Sequence, residues 1–246
     1  MCLLVVKNKD ADLSVDELVS LYESAYAIHD DGFGVVWYDE KQKRYFRRRY
    51  VARVNPDVVR ELAKGMEGCP AILHWRMATS GWIYKDNCHP FKIASKDIGT
   101  IFMGHNGVIS SVKPVQGMSD TATLARNLTG SESTPIFEQL DKLSDTRNKF
   151  ATLSGEGELR IHNSQNMGSW QNGIWYSNLS HTLTTTKKKS NYHFGGFSTK
   201  EVTYSDSSIV QTMILKYGYD VVRHMITKYE EEKAELKTGV HTLLID

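Results

Sequence analysis

Four consecutive apolar residues, Leu3-Leu4-Val5-Val6, stand directly behind Met1-Cys2. A short, unbroken apolar run reads as a buried strand. A buried strand here holds the first residues of the chain still. If Met1 is removed, Cys2 carries a thiol and a free α-amine on one residue. An ordinary cysteine is mostly protonated at neutral pH, and its thiolate is the nucleophile. An α-amine with a pKa of about 7.7–8.0 is partly unprotonated there and can act as a base. Nucleophile and base then share one residue, although a cysteine at this position by itself carries little information.

The chain beyond this start alternates strands and helices. Ser14-Val15-Asp16-Glu17 forms a capping-box pattern, and Leu18, Leu21, Tyr22 and Ala25 follow at helical spacing, predicting a helix over about 14–26. Asp31-Gly32-Phe33-Gly34 turns into the strand Val35-Val36-Trp37-Tyr38, and Arg44 to Val54 returns as a second. Arg47-Arg48-Arg49 reads as a solvated edge rather than a basic patch. Asn55-Pro56 starts a helix whose apolar face is Val58, Val59 and Leu62, with Gly65 and Gly68 at its end. Ala71 to Arg76 is a buried strand. Ile98 to Met103 is another, ending at the turn Gly104-His105-Asn106-Gly107, with Val108-Ile109 continuing beyond it. Ser119-Asp120 caps a helix through Leu128, and Thr134-Pro135 opens one through Leu143. Phe150 to Leu153 and Leu159 to His162 form a hairpin around Gly155-Glu156-Gly157, and Ile174 to Ser177 is a short strand. Residues 180–208 read as a long polar loop, and Ser208 to about Leu236 as helix, with Gly218 a candidate break.

Composition removes several function classes. The 246 residues carry a net charge of +1, so bulk electrostatics suggest no nucleic-acid binding. No run approaches the roughly 20 apolar residues of a membrane span. Lys7, Lys9 and Asp10 come too early for a signal peptide. The three cysteines, Cys2, Cys69 and Cys88, make no disulfide framework and suit a reducing compartment, so a cytoplasmic protein is expected. Their spacing relative to the histidines fits no usual metal site. No metal or cofactor is expected, and Cys69 and Cys88 read as ordinary buried thiols.

Four further segments carry chemistry: His74-Trp75-Arg76-Met77-Ala78-Thr79-Ser80-Gly81, Asn87-Cys88-His89-Pro90, Gly104-His105-Asn106-Gly107-Val108-Ile109, and Ser119-Asp120-Thr121. Arg76 offers a fork of donors suited to a carboxylate, or makes a structural ion pair. Asp120 at a helix start can pair with an ammonium, or simply cap the helix. Asn106-Gly107 can supply donors to an oxyanion, or form a plain turn. His74, His89 and His105 read as packing and hydrogen-bonding residues.

With Cys2 in front, these segments resemble, in order and approximate spacing, the class II glutamine amidotransferases. Members have an N-terminal Cys, then His-x-Arg-x-Ala-Thr-x-Gly, Asn-x-His-Pro, His-Asn-Gly-aliphatic-Ile and Ser-Asp-Thr segments. The resemblance covers about the first 130 residues. It implies an N-terminal nucleophile (Ntn) hydrolase fold: an α+β, four-layer αββα sandwich of two antiparallel sheets between helices. The domain is expected over 1–205, with a C-terminal helical extension over 206–246. The resemblance also implies that Cys2 attacks the side-chain amide of glutamine while Asn106 and Gly107 hold the oxyanion. Arg76 and Asp120 then bind the α-carboxylate and α-ammonium, and Thr79 and Gly81 shape the pocket wall. Ammonia and a glutamyl thioester result, and water converts the thioester to glutamate.

The chain departs from the family pattern at Leu3, where members commonly have Gly. It departs again at Ile28-His29-Asp30-Asp31, where many carry Arg-Gly, and at Ser80, where synthase-linked members often have His. Nothing after residue 150 resembles an ammonia-using synthase domain. The chain therefore looks like the small stand-alone relatives of bacteria and their phages, with a separate ammonia-accepting synthetase as the expected partner. Two alternatives stand beside this: an amidohydrolase acting on a γ-glutamyl or other amide without ammonia transfer, and a non-catalytic binding or structural protein that keeps the fold.

Overall fold

The computed structural model describes residues 2–96, 98–128 and 135–182, and the expected helix over 208–236 and the extension over 206–246 lie outside them. Ten strands and four α-helices run in the order β1 (Leu3–Lys7), α1 (Val15–Tyr26), β2 (Phe33–Asp39), β3 (Arg44–Tyr50), α2 (Pro56–Gly65), β4 (Ala71–Trp75), β5 (Phe91–Ser95), β6 (Gly99–Asn106), α3 (Asp120–Asn127), α4 (Ile136–Leu143), β7 (Lys149–Leu153), β8 (Leu159–His162), β9 (Ser169–Gln171) and β10 (Ile174–Tyr176) among the described residues. They form two antiparallel sheets, one ordered β3-β2-β4-β1-β10-β9 and the other β5-β6-β7-β8.

The helices begin where their caps stand. Ser14 Oγ accepts from Glu17 N–H at 3.3 Å and Glu17 Oε2 accepts from Ser14 N–H at 2.8 Å, closing the capping box of α1. Asn55 Oδ1 accepts from Asp57 N–H at 2.9 Å ahead of Pro56, and Ser119 Oγ accepts from Ala122 N–H at 3.0 Å at the head of α3.

Period-two alternation sorts the strand residues into layers. Leu4, Val6, Val36, Tyr38 and Ile72 of the six-stranded sheet pack against Phe102, Ala151 and Leu153 of the four-stranded sheet. Phe33 and Trp75 point the other way, onto Tyr22 of α1, with ring centroids 5.1 and 6.4 Å away. On the far side of the small sheet, Ile101, Met103 and Phe150 pack under Leu124, Ile136 and Leu140 of α3 and α4. Helices, sheet, sheet and helices follow one another, in keeping with the expected α+β architecture. β1 is buried throughout, as its apolar run requires, and it lies between β4 and β10 in the middle of the large sheet.

Some boundaries differ from the sequence reading. β6 runs on to Asn106 rather than stopping at Met103, because Gly104 acts inside the strand instead of turning it. A Cβ there would stand 2.5 Å from Leu4 Cδ1, so the glycine lets the two sheets approach. Val108-Ile109 forms no strand, β3 stops at Tyr50 short of Val54, and β5 and β9 are strands that the sequence reading did not contain. The arginine-bearing β3 is indeed a sheet edge.

Candidate active site

β1 and β4 are paired Leu3 to Trp75, which sets Cys2 beside the residues that follow β4. Met77 N–H donates to Cys2 Sγ at 3.3 Å, and the thiol faces Met77 C=O at 3.5 Å. Burial pushes the Cys2 thiol above its ordinary pKa, while the Met77 N–H and the Arg76 charge act in the opposite direction. The thiol is therefore a neutral group that needs a base to become a nucleophile.

Cys2 opens onto a pocket of about 270 Å³, part of it open solvent, which Arg76, Thr79, Ser80, Gly107 and Asp120 also line. Both charged residues are almost fully buried, at 2% exposure for Arg76 and 6% for Asp120. Arg76 frames the pocket while presenting its charge, because its terminal nitrogens donate to Ser80 C=O at 2.9 Å and Trp82 C=O at 3.0 Å. Asp120 is fixed from three sides. Ile109 N–H donates to it at 2.7 Å, Thr121 N–H at 2.8 Å and Ser80 Oγ–H at 3.2 Å. One side of the pocket is thus cationic and another anionic, with each carrier held rigid.

Gly81 and Asn106 are not among the residues that line the pocket, although Asn106 directly precedes Gly107, which does. Gly81, at φ +72°, lets the 80–82 turn close on the head of α3, since a Cβ would lie 2.5 Å from Ser119 N. Asn87 completes that junction by donating to Trp82 C=O and Gly117 C=O and accepting from Ser119 N–H. Asn106 is fully buried at the end of β6, and its side-chain nitrogen lies 2.8 Å from Ser177 Oγ. Gly107 reaches the pocket itself. A Cβ on it would stand 2.4 Å from Asn148 Oδ1, so only a glycine brings this backbone so close.

The three histidines of the motifs are internal. His74 Nε2 bonds His105 C=O at 2.9 Å, and the His89 ring lies against His74, tilted by 31° with ring centroids 3.9 Å apart. His105 lies between Thr121 Oγ1 at 2.8 Å and Asn148 Oδ1 at 3.0 Å. Burial lowers the His74 pKa to about 3 and holds His89 and His105 below the usual imidazole value as well. Rings that stay neutral when folded protonate only in the unfolded chain as pH falls below about 6.5. Their contribution to stability is complete above that pH and is lost as pH falls towards the folded-state values. Unfolding midpoints measured in urea from pH 7.5 to 4.5 are expected to drop steeply below about 6.5, each ring contributing up to about 1.4 kcal/mol per pH unit. A flat profile across that window would contradict the burial of neutral imidazoles.

Sequence reasoning did not find Met77 as the partner of the thiol, nor Ser177 and Asn178, which touch Asn106 and Cys2. A methionine whose backbone alone matters, and a Ser-Asn pair at a strand end, carry no signature of their own. Cys69 and Cys88 are buried and form no disulfide, and Cys88 Sγ faces Tyr50 C=O at 3.6 Å and Tyr84 C=O at 3.7 Å.

The sequence pattern of the glutamine amidotransferases class-II matches residues 1–148. The chain belongs to this family. Among solved structures, this class II amidotransferase chain is similar to glutamine phosphoribosylpyrophosphate amidotransferase from B. subtilis complexed with ADP and GMP, at 16% identity and a TM-score of 0.39. It is also similar to a structure described as the allosteric regulatory enzyme of purine biosynthesis, at 17% identity and a TM-score of 0.46. Each likeness covers 72% of this chain and 41% of the other, so the chain spans about two fifths of their length. No curated protein matches the chain. No helix among the described residues is long and apolar enough to cross a membrane.

Proposed function

We propose that this domain hydrolyses the side-chain amide of glutamine, with Cys2 as the nucleophile, and passes the ammonia to a separate acceptor enzyme. The observation that carries the reading is the pocket itself. A thiol whose sulfur receives Met77 N–H opens between a buried cation, Arg76, and a buried anion, Asp120. Free glutamine presents a matching α-carboxylate and α-ammonium, and its amide lies a side chain's length away.

The chemistry follows from the state of the groups. The thiol is neutral, so the α-amine of Cys2, exposed by removal of Met1, takes its proton. The thiolate attacks the amide carbon, and the oxyanion is held by the Gly107 N–H and the Asn106 amide. The amine returns the proton to the departing nitrogen, the carbon–nitrogen bond breaks and ammonia leaves. Water then attacks the glutamyl thioester, giving glutamate and restoring the thiol.

Ammonia release from glutamine, measured with wild type and Arg76→Lys, tests the reading. A lysine ammonium cannot hold both Ser80 C=O and Trp82 C=O and also fork onto a carboxylate. The variant is expected to raise KM for glutamine about tenfold or more, the cost of losing a charge-assisted, paired contact. No ammonia release by wild-type protein lacking Met1, or an unchanged KM in the variant, would count against the proposal.

A further inference from the structure

β10 leaves the large sheet at Ser177-Asn178, and both side chains turn back onto the catalytic end. Ser177 Oγ receives the Leu4 N–H at 2.9 Å and lies 2.8 Å from the Asn106 side-chain nitrogen, while Ser177 N–H donates to Leu4 C=O at 2.9 Å. Asn178 Nδ2 donates to the Cys2 carbonyl at 2.8 Å. One hydroxyl oxygen thus joins the nucleophile's strand in the large sheet to the last residue of β6 in the small sheet. Ser177 is 3% exposed and Asn106 is fully buried, so water does not substitute for this link.

The Asn106 amide has little else to orient it. Its Oδ1 is buried without a hydrogen-bond partner. Of the two hydrogens on Nδ2, one is directed at Ser177, and the second has no acceptor among the described residues. The terminal torsion of an asparagine is broad when nothing fixes it. The bond to Ser177 fixes the amide plane and so decides where the remaining N–H points.

We infer that Ser177 and Asn178 are positioning residues for amide cleavage. Ser177 aims the Asn106 donor and keeps it in register with the strand that carries Cys2, and Asn178 holds the carbonyl of Cys2 itself. Both lie beyond residues 1–148, the stretch that carries the family pattern. The inference rests on the Cys2 glutaminase reading above.

Steady-state glutaminase kinetics of Ser177→Ala, Ser177→Thr and Asn178→Ala test it, with Ser144→Ala as the control. Ser144 is an equally buried hydroxyl, bonded to Asp141 C=O and Ser164 N–H at the end of α4. Losing an oxyanion donor outright costs about 100–1,000-fold in kcat, so losing its orientation is expected to cost about 10- to 100-fold. KM stays within about threefold, because Arg76 and Asp120 are untouched. Ser177→Thr keeps the hydroxyl and recovers most of the loss, and Ser144→Ala leaves kcat unchanged. If Ser177→Ala does not fold, Asn178→Ala carries the test with a kcat drop of about tenfold at unchanged KM. Wild-type kcat in the folded variants, or a loss confined to KM, overturns the positioning role while leaving the glutaminase reading intact. Absence of glutaminase activity and of Cys2 labelling in the wild type overturns that reading, and this inference falls with it.

Discussion

Cys2→Ala is expected to release no ammonia from glutamine above background, a loss of about 1,000-fold or more in kcat, while melting close to the wild type. The two halves of this expectation have separate causes. Among the described residues the sulfur is the one thiol that lines the pocket, since Cys69 and Cys88 are buried outside its lining. Stability is spared because the hydrogen bonds of the side chain are one weak pair to Met77, at 3.3 and 3.5 Å, while the strand that follows is held by Leu3 to Lys7. Retaining Met1 in front of an intact Cys2 is expected to be nearly as damaging, since burial keeps the thiol neutral and the base is then blocked. Kinetics of both proteins beside their melting curves check this. Substantial turnover by Cys2→Ala would remove the nucleophile from the account.

Gly34→Ala is expected to be the most damaging single change to the fold. Gly34 is the second residue of β2, opposite His74 of β4 and Arg49 of β3. A Cβ there would stand 1.8 Å from the carbonyl oxygen of His89 and 3.0 Å from its carbon, both backbone atoms. The Asn87-Cys88-His89-Pro90 segment lies directly on the sheet at this point, and the His89 ring lies against His74. Adding one methyl group must push that segment away and part the two rings, at a cost of about 3 kcal/mol or more. For a domain of this size that lowers Tm by about 6–12 °C. Gly155→Ala, where nothing lies within 4 Å of the added carbon, is the matched control and is expected to be nearly silent. Equal melting temperatures for the two variants would contradict the close approach of His89 to β2.

The Asn-x-His-Pro segment also shows what the sequence could and could not reveal. Its likeness to a family pattern is visible residue by residue, but its physical task, lying against β2 with His89 beside His74, needs Gly34 some 55 residues earlier. Helix starts were legible because caps are local: Ser14, Asn55 and Ser119 each bond within three residues of themselves. Strand ends were less so. Gly104-His105-Asn106-Gly107 has turn composition, yet the first three residues continue β6, because the pressure for glycine at 104 comes from Leu4 across the core. β9 is three residues long and exists only through its pairing with β10. In the site, Cys2, Arg76 and Asp120 were legible as residue types suited to an amino acid's groups. The contacts of Ser177 and Asn178 with residues more than 70 positions away left no local trace.

On the proposed function the mature chain begins at Cys2, and its sulfur reacts with a glutamine bound between Arg76 and Asp120. Intact mass of the purified protein, before and after treatment with the glutamine-mimicking alkylator diazo-oxo-norleucine, tests it most directly. The expected result is a chain lacking Met1 that gains one adduct, mapped to Cys2, absent from Cys2→Ala and slowed in Arg76→Lys. A chain that keeps Met1, or an adduct on Cys69 or Cys88 instead, would contradict it.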